Sequence, residues 1–174
     1  FPDALTIGGV SYENGSPFLL TKKNSLPKST KTYLDNITEN GSSKLSTIYI
    51  IGGGQAVSDD VELALGRYSD SVMRISGENR YETATEVAKR FCTHPSKLII
   101  ASGENFADAL SGGVLTFFKN APLILTKSSY LSSENKDYLG NEFEYSRHQT
   151  NIYILGGKSA ISENVKLEVE KEIF

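Results

Sequence analysis

An internal repeat is the feature that most constrains how this 174-residue chain can fold. The segment Phe106–Thr126, which begins FADAL and ends PLILT, is matched by Phe1–Thr21, which begins FPDAL and ends PFLLT. Farther along, IYIIGGGQAVSDDV at Ile48–Val61 is matched by IYILGGKSAISENV at Ile152–Val165. Self-similarity at a near-constant spacing is typical of one structural unit repeated along a chain. We therefore expect residues that both copies keep to serve the fold or the function of that unit.

The two copies differ in completeness. Residues 71–174 are predicted to form a nearly complete unit, whereas residues 1–70 correspond to the latter part of a preceding unit. The first copy lacks the strand, helix and strand that open the second copy. Because a truncated unit leaves a sheet edge and an apolar face uncovered, we expect residues before Phe1, in the same or a separate chain, to complete it.

Short apolar strands alternate with helices in the second copy. The strands are predicted at Val72–Ser76, Leu98–Ser102, Pro122–Thr126 and Asn151–Leu155. The helices are predicted at Arg80–Phe91, Phe106–Phe118, Ser132–Phe143 and from Ser162 to Ile173. Continuously apolar strands separated by helices are typical of a parallel sheet covered on both faces. The expected fold class is α/β, with tandem units, each a small parallel β-sheet flanked by helices in a Rossmann- or Toprim-like layered arrangement.

Two local patterns refine this prediction. Asn79 is expected to cap the helix Arg80–Phe91, with Glu82 completing a capping box. Gly112 and Gly113 fall in the middle of a predicted helix, where each glycine costs on the order of 1 kcal/mol relative to alanine. A compensating reason is therefore expected, such as the close approach of another backbone.

Composition and charge argue against several functional classes. The net charge of −3 provides no overall positive field, so no nucleic-acid partner is expected. No apolar run is long enough to span a bilayer, and no membrane insertion is expected. The single cysteine, Cys92, cannot form an intrachain disulfide, and His94 and His148 lack the paired spacing of a zinc site. We expect neither a metal nor an organic cofactor.

Glycine-rich turns invite comparison with nucleotide-binding loops. Gly157-Lys158-Ser159 resembles the end of a P-loop, but the earlier glycine of that motif is replaced by Ile152. The run that begins at Gly52 fails the dinucleotide fingerprint because Val57 occupies its third glycine position. We interpret both segments as tight strand-to-helix turns.

Asp3 and Asp108 occupy the same position at the start of a predicted helix in the two copies. A carboxylate there is stabilised by the positive end of the helix dipole. An enzymatic alternative makes Asp108 and Glu104 the acid and base of a hydrolase. Cys92 and His94 have no apparent third group for a nucleophilic triad. No catalytic residue is predicted.

Polar side chains at strand ends are the best candidates for ligand contact. Lys22 and Lys127 each follow a PxxLT strand, and ligands of open parallel sheets bind outside the carboxyl ends of the strands. Arginines at strand-to-helix turns can bind phosphate or carboxylate through two parallel hydrogen bonds. A solvated rim explains the same residues equally well. The candidate ligand-binding residues are Arg74, Arg80, Tyr81, Asn105, Thr126, Lys127, Thr21 and Lys22.

Four ordered motifs carry a resemblance to a known family. They are RISGENRYETATEVAKRF, ASGENFADALSGG, APLILT and IYILGGKSAIS, and together they resemble the signature of the cell-wall-binding repeat 2 family. The resemblance covers nearly all of one repeat from Arg74 onward and the latter part of the preceding repeat. It implies that most residues shared with the family motifs serve the fold. The expected structural motif residues are Asp3, Asp108, Gly112, Gly113, Pro17, Pro122, Gly52, Gly53, Gly156 and Gly157.

The resemblance also implies a function. Members occur on Gram-positive surface proteins, usually as three tandem repeats packed into a pseudo-threefold module. The module anchors a secreted protein non-covalently to an anionic, teichoic-acid-like wall glycopolymer at the cell wall or S-layer. The chain carries fewer than two complete repeats, so further repeats of the same protein or a separate chain are expected as partners. The alternatives are a peptidoglycan hydrolase and a purely structural packing module.

Overall fold

The computed structural model describes residues 6–7, 15–92, 95–142 and 151–173. The strands are β1 (Leu45–Ile51), β2 (Ser69–Ile75), β3 (Lys97–Ser102), β4 (Leu123–Thr126) and β5 (Asn151–Leu155). The α-helices are α1 (Lys28–Ile37), α2 (Asp59–Leu65), α3 (Arg80–Phe91), α4 (Phe106–Lys119), α5 (Ser133–Asp137) and α6 (Glu163–Ile173). A 3₁₀ turn spans Glu39–Gly41 and a π-helical turn spans Tyr138–Glu142.

The chain divides into two compact units, each described by itself below. The β1–β2 unit comprises Phe18–Ser76, and the β3 unit comprises Gly77–Phe174 together with Phe1–Pro17. The strand Ser69–Ile75 extends across the position 70/71 at which the sequence repeat divides the chain. The repeat boundaries 1–70 and 71–174 stay a prediction.

The β1–β2 unit contains a two-stranded parallel sheet. Leu45 lies opposite Ser69, and Ile51 lies opposite Ile75. Two short helices supply apolar side chains to the core, and three acidic residues in the first turn of α2 face the positive end of its dipole. The buried residues of this core include Leu34, Ile50, Val61, Leu65 and Tyr68.

The β3 unit contains a three-stranded parallel sheet in the order β4-β3-β5. The central strand is fully buried from Leu98 to Ala101, because apolar clusters cover both of its faces. Val165, Val169 and Ile173 line the buried side of α6 on one face, as the helical spacing predicts. Ala84 of α3 and Ala109 of α4 lie in the cluster on the other face. The α/β fold of small parallel sheets flanked by helices is thus confirmed.

The start of α3 follows the capping prediction with one difference. The Asn79 side chain accepts hydrogen bonds from the N–H groups of Tyr81 and Glu82. The Glu82 carboxylate accepts a hydrogen bond from the N–H of Glu78, at 2.6 Å, instead of reaching the N–H of Asn79. Glu82 therefore holds the backbone at Glu78, one residue before the Asn79 N–H that the predicted capping box would use.

The single helix predicted over Ser132–Phe143 is wrong in its second half. Ser132 caps α5 by accepting a hydrogen bond from the N–H of Asn135, but the α-helix ends at Asp137 and a π-helical turn follows. Tyr138 and Leu139 of that turn are almost fully buried. Residue 143 lies outside the described residues. Tertiary packing of the two apolar side chains accounts for the wider turn, which places both of them in the core.

The glycine turns of the two copies have the same geometry. Gly52 and Gly156 have φ angles of +117° and +111°, a region that residues with a Cβ rarely adopt. The carbonyl of the glycine that follows, Gly53 in the first copy and Gly157 in the second, accepts two backbone hydrogen bonds, at 2.9 and 3.0 Å in both copies. Gly52, Gly53, Gly156 and Gly157 thus form strand-to-helix turns, as their sequence pattern indicates.

Gly112 accommodates a side chain and not another backbone, contrary to the expectation from the sequence. A Cβ built on Gly112 would lie 2.7 Å from Leu155 Cδ1 and 3.4 Å from Leu123 Cδ1. The absence of a side chain at this position lets α4 pack closely on β4 and β5. Gly113, beside it, is partly buried.

The outer face of α4 is apolar and exposed. Leu110, Val114 and Phe118, spaced four residues apart, are 59%, 62% and 72% exposed.

In the part of the chain that the structure describes, no helix has both the length and the apolar character needed to cross a membrane.

Candidate functional site

A polar cluster lies at the carboxyl ends of β3 and β4, where α3 begins. We call Arg80, Tyr81, Glu104, Asn105 and Lys127 the strand-end cluster. The N–H of Gly103 donates to the Thr126 carbonyl at 2.8 Å and so holds the two strand ends together. The parallel arrangement therefore brings together side chains that are far apart in the sequence, as the strand-end argument predicts.

Lys127 lies between an aromatic ring and a carboxylate. Its Nζ is 4.9 Å from the centre of the Tyr81 ring and 4.0 Å from Glu104 Oε1. The interaction with the Tyr81 side chain raises the pKa of Lys127, and the Glu104 charge adds to this effect. The ammonium group is therefore positively charged at neutral pH while the tyrosine ring holds it in place.

Glu104 is fixed by the residue that follows Lys127. Its Oε2 accepts a hydrogen bond from the N–H of Ser128 at 2.9 Å, and the Ser128 hydroxyl lies 3.3 Å from that of Ser102. Hydrogen bonds from the Ser128 side chain and backbone lower the pKa of Glu104. A carboxylate with a lowered pKa remains ionised at neutral pH and is a poor general acid.

Asp108 serves the neighbouring turn. A Cβ built on Gly156 would lie 2.7 Å from Asp108 Oδ2, so this carboxylate packs directly against the β5–α6 turn. Asp108 is also in the first turn of α4, where the helix dipole stabilises a negative charge. The structural role that the sequence predicts for Asp108 stays a prediction. Its counterpart Asp3 lies outside the described residues.

Arg80 is exposed and retains unused donors. Its Nη1 donates to the Gly103 carbonyl at 2.6 Å, which is the one acceptor it has among the described residues. A guanidinium group carries five N–H donors in a planar arrangement. A Cβ built on Gly103 would lie 2.6 Å from Tyr81 Cε1 and 3.3 Å from Arg80 Cδ. The glycine therefore makes room for both side chains.

The remaining two candidates of this unit differ in exposure. Asn105 is exposed, and its Oδ1 accepts a hydrogen bond from the N–H of Ala107 at the start of α4. Thr126 is fully buried, and its hydroxyl donates to the Tyr130 carbonyl at 3.2 Å. Thr126 thus shapes the loop after β4 without presenting its side chain at the surface.

Arg74 lies in the β1–β2 unit and is occupied by internal partners. Its guanidinium is 2.6 Å from Glu62 Oε2, and it donates to the carbonyls of Gly52 and Val57 at 2.8 and 2.9 Å. The side chain is 19% exposed. Arg74 thus ties the end of β2 to the β1–α2 turn, and the structure gives it a role in the fold.

Thr21 and Lys22 are also in the β1–β2 unit. The Thr21 hydroxyl lies within hydrogen-bond distance of the carbonyls of Lys22 and Ser25, and Lys22 is exposed. These residues occupy the positions that Thr126 and Lys127 have in the second copy. Pro17 and Pro122, the proline pair before these segments, are respectively exposed and buried.

Ser128 is the site residue that sequence reasoning missed. It positions Glu104, and its carbonyl accepts a hydrogen bond from the N–H of Ser162 at 2.8 Å. The first copy makes the same link from the N–H of Ser58 to the Lys23 carbonyl, also at 2.8 Å. Because this link is made by the backbone, it does not restrict which residue types occur there, and the sequence gives no signal for it.

Across residues 6–7, 15–92, 95–142 and 151–173, no group of three histidine, cysteine or acidic side chains could hold a metal ion.

The sequence profile of one family matches most of the chain. The profile, described as cell wall binding domain 2, matches residues 1–62 and again residues 74–166. The chain belongs to the cell wall binding domain 2 family. The profile matches this cell wall binding domain twice in succession, in the same order as the two copies of the internal repeat.

Curated relatives of this cell wall binding domain are much longer proteins. An N-acetylmuramoyl-L-alanine amidase, LytC, of Bacillus subtilis is 37% identical over 58% of this chain and 19% of its own length. An amidase enhancer of the same organism is 28% identical over 100% of this chain and 22% of its own length. An uncharacterised protein of Pyrococcus horikoshii is 34% identical over 70% of this chain and 36% of its own length. The chain thus spans about a fifth of the first two relatives.

Solved structures show the same fold. Cwp6 from Clostridium difficile superposes with a TM-score of 0.81 and 25% identity over 99% of this chain and 26% of that one. Cwp8 from the same organism superposes with a TM-score of 0.78 and 25% identity over 98% of this chain and 27% of that one. Both similarities extend over nearly the whole of this chain.

Proposed function

We propose that the chain is a non-catalytic anchoring module that binds an anionic, teichoic-acid-like polymer of the cell wall through the strand-end cluster. The observation that carries the proposal is that Arg80 and Lys127 both lie at the carboxyl ends of β3 and β4. Arg80 has unused guanidinium donors, and Lys127 is held on the Tyr81 ring at 4.9 Å. Two cations beside one ionised carboxylate leave a local positive charge on a chain whose net charge is −3.

The chemistry of these groups suits a phosphate-bearing glycopolymer. A guanidinium group can bind a phosphate through two parallel hydrogen bonds, whereas an ammonium group acts as a compact point charge. The exposed amide of Asn105 adds a polar group for a hydroxyl of the polymer. Each contact is weak because it is exposed to solvent, so useful affinity requires several sites on one polymer.

The first copy keeps the lysine of this cluster. Lys22 is exposed after the segment that corresponds to β4, and Lys23 beside it donates to Gln55 Oε1 at 3.0 Å. A polymer with regularly spaced phosphates would bind equivalent positions in successive repeats. This repetition supports an anchoring role at the outer surface of the cell, in a secreted protein whose other regions supply further activities.

The relatives support such a division of labour. One relative is named for an amidase and another for an amidase enhancer, and each extends well beyond the part that this chain matches. In our proposal the shared part attaches the protein to the wall, and the remainder of each protein carries its own function. Glu104, with its lowered pKa, and Asp108, packed against a turn, do not favour hydrolysis by this chain.

Co-sedimentation with purified cell walls tests the proposal. We expect the protein to sediment with intact walls, to remain soluble after acid extraction of the anionic polymer, and to be released as salt rises toward about 1 M, where the screening length is about 3 Å. The double variant Arg80→Gln, Lys127→Gln should bind at least tenfold more weakly. The matched control is Lys158→Gln with Lys166→Gln, which removes two lysines that are both near Glu163 in the same unit.

Two outcomes would contradict the proposal. Binding that persists after the anionic polymer is extracted would show that another wall component is recognised. Equal loss of binding in the control and test variants would show that the strand-end cluster has no special role and that only total charge matters.

A further inference from the structure

An exposed tyrosine lies beside the strand-end cluster. Tyr130 is 49% exposed and comes three residues after Lys127, in the loop between β4 and α5. The hydroxyl of Thr126 donates to the Tyr130 carbonyl at 3.2 Å, which folds this loop back toward the end of β4. After Tyr81, whose side chain has the largest effect, Tyr130 also raises the pKa of Lys127, which places its side chain near the ammonium group. Tyr81 is only 7% exposed, so Tyr130 is the ring of this pair that a ligand can reach.

The residues on either side of Tyr130 are held in place by α6. The Ser129 carbonyl accepts a hydrogen bond from the Asn164 side-chain amide at 3.0 Å. The N–H of Leu131 donates to Glu168 Oε2 at 2.8 Å, and the Leu131 side chain is 2% exposed. The backbone that carries the tyrosine is therefore ordered before any ligand binds, and binding does not have to pay for ordering it.

The first copy builds the same loop around a serine. The hydroxyl of Thr21 lies 3.3 Å from the Ser25 carbonyl oxygen, as the hydroxyl of Thr126 lies 3.2 Å from that of Tyr130. The residue that follows is a buried leucine in both copies. The conformation of the loop therefore does not require an aromatic side chain at this position.

The fold also gains little from the Tyr130 side chain itself. About half of its surface stays in water, so its burial contributes only a fraction of what a core tyrosine would. Its hydroxyl has no hydrogen-bond partner among the residues that the structure describes. An aromatic ring that is exposed, rigidly mounted and adjacent to a cation is suited to contact with a ligand.

We propose that Tyr130 is a sugar-binding residue whose ring stacks on a pyranose next to a phosphate held by Lys127 and Arg80. The inference rests on the proposed polymer-binding function and adds a specificity-determining residue to it. Apolar C–H groups cover a face of a pyranose, and they pack on the flat face of an aromatic ring while the sugar hydroxyls stay in water. The second copy thereby distinguishes a polymer with sugar rings beside its phosphates from a polyol phosphate chain without them. The first copy, with Ser25, lacks this means of discrimination.

An NMR titration with two oligomers of equal charge tests the inference. One oligomer joins pyranoses through phosphodiesters, and the other joins glycerol units through the same number of phosphodiesters. The intact protein should bind the sugar-containing oligomer roughly fivefold more tightly than the glycerol oligomer. Tyr130→Ser should remove this preference and leave the affinity for the glycerol oligomer unchanged. Because Ser25 occupies the same position in an equivalent loop, this variant should unfold at the same urea concentration as the unmodified protein.

Three further variants separate ring stacking from other effects. Tyr130→Phe keeps the ring and should keep the preference, whereas a role of the hydroxyl beside Lys127 would make it behave like Tyr130→Ser. The chain has no tryptophan, so Tyr130→Trp introduces a single indole. Its fluorescence should shift to shorter wavelength with the sugar-containing oligomer, as stacking removes water from the ring. Tyr33→Ala, which removes an exposed tyrosine of α1, is the control and should retain the preference.

The outcomes separate this inference from the proposed function. Equal binding of the two oligomers by the unmodified protein, or a preference that survives in Tyr130→Ser, would overturn the role of Tyr130 and leave polymer binding intact. Loss of the preference in Tyr130→Phe or in Tyr33→Ala would also count against stacking on Tyr130. Binding of neither oligomer would overturn both the inference and the proposed function.

Discussion

Arg74 shows how one side chain joins a strand end to a neighbouring turn. Its guanidinium bonds to Glu62 and to two carbonyls, and the side chain is 19% exposed. Arg74→Gln should lower the free energy of unfolding of the β1–β2 unit by about 2–3 kcal/mol, since charge-assisted bonds are lost and the turn carbonyls are left unpaired. Urea denaturation followed by circular dichroism measures this change. Lys44→Gln, which removes an exposed bond to the Gly66 carbonyl, is the control and should cost less than about 0.5 kcal/mol.

Gly156 is a residue whose replacement is predicted to be harmful for two reasons. Its φ of +111° is unfavourable for any side chain, and a Cβ there would approach Asp108 Oδ2 and the Ala160 Cβ at 2.7 and 2.8 Å. Gly156→Ala should therefore destabilise the β3 unit by about 2–4 kcal/mol. Gly157→Ala introduces a Cβ with no heavy atom within 4 Å and should be nearly neutral in the same denaturation experiment. Similar losses in both variants would show that the close approach to Asp108 is unimportant.

At the scale of elements, a hydrogen bond joins the start of α3 to α5. The Asn79 side-chain amide, which also caps α3, donates to Glu134 Oε1 at 2.9 Å. This bond is the main cause that lowers the pKa of Glu134 to about 2. A carboxyl whose folded pKa is below its unfolded value of 4.5 stabilises the fold above about pH 4.5. That stabilisation is lost as the pH falls from about 4.5 to about 2.

The variant Glu134→Gln isolates this contribution. Its unfolding free energy should be lower than that of the unmodified protein at pH 7, by on the order of 1 kcal/mol, and the difference should vanish near pH 2. Denaturation at a series of pH values measures the difference. Glu170→Gln, on the exposed side of α6, should leave the pH profile unchanged. A pH-independent difference for Glu134→Gln would contradict the assignment.

Helix α4 has one buried and one exposed apolar face, and their contributions to stability should differ. Leu123, on which α4 packs, is 1% exposed, whereas Leu110 on its outer face is 59% exposed. Leu123→Ala should cost about 2–5 kcal/mol because it leaves a cavity beside Gly112. Leu110→Ala should cost less than about 1 kcal/mol in a thermal or urea unfolding experiment, because most of the Leu110 side chain is already exposed to water.

Sequence predicts these elements well where the signal is local. The bounds of Arg80–Phe91 and Asn151–Leu155 follow from capping and apolar runs, and the structure has the same bounds. The π-helical turn at Tyr138–Glu142 has no local signal, because burial of Tyr138 against distant residues produces it. Likewise, the rule for parallel strand ends predicts that Arg80 lies near Lys127. No sequence pattern, however, reveals that the Arg74 guanidinium is hydrogen-bonded to Glu62.

At the scale of the whole molecule, β2 belongs to one unit and leads directly into the next. A fragment of residues 18–76 contains both strands of its sheet, whereas a fragment of residues 18–70 loses most of β2 and the Arg74 site. We expect a cooperative thermal transition by circular dichroism for the longer fragment and none for the shorter one, because β1 alone leaves its ladder groups unpaired. A transition of equal size in both fragments would show that β2 is dispensable.

Under the predicted repeat boundary at position 70/71, most of β2 belongs to the second repeat while its pairing partner β1 belongs to the first, and this bears on how such repeats spread among proteins. A unit copied from one gene into another without the first residues of its neighbour would arrive with β1 unpaired and without the arginine that closes its turn. Successful transfer therefore favours exchange of runs of repeats over exchange of single ones. Tandem arrays, in which each new member brings the strand that its predecessor needs, are the natural products of such duplication.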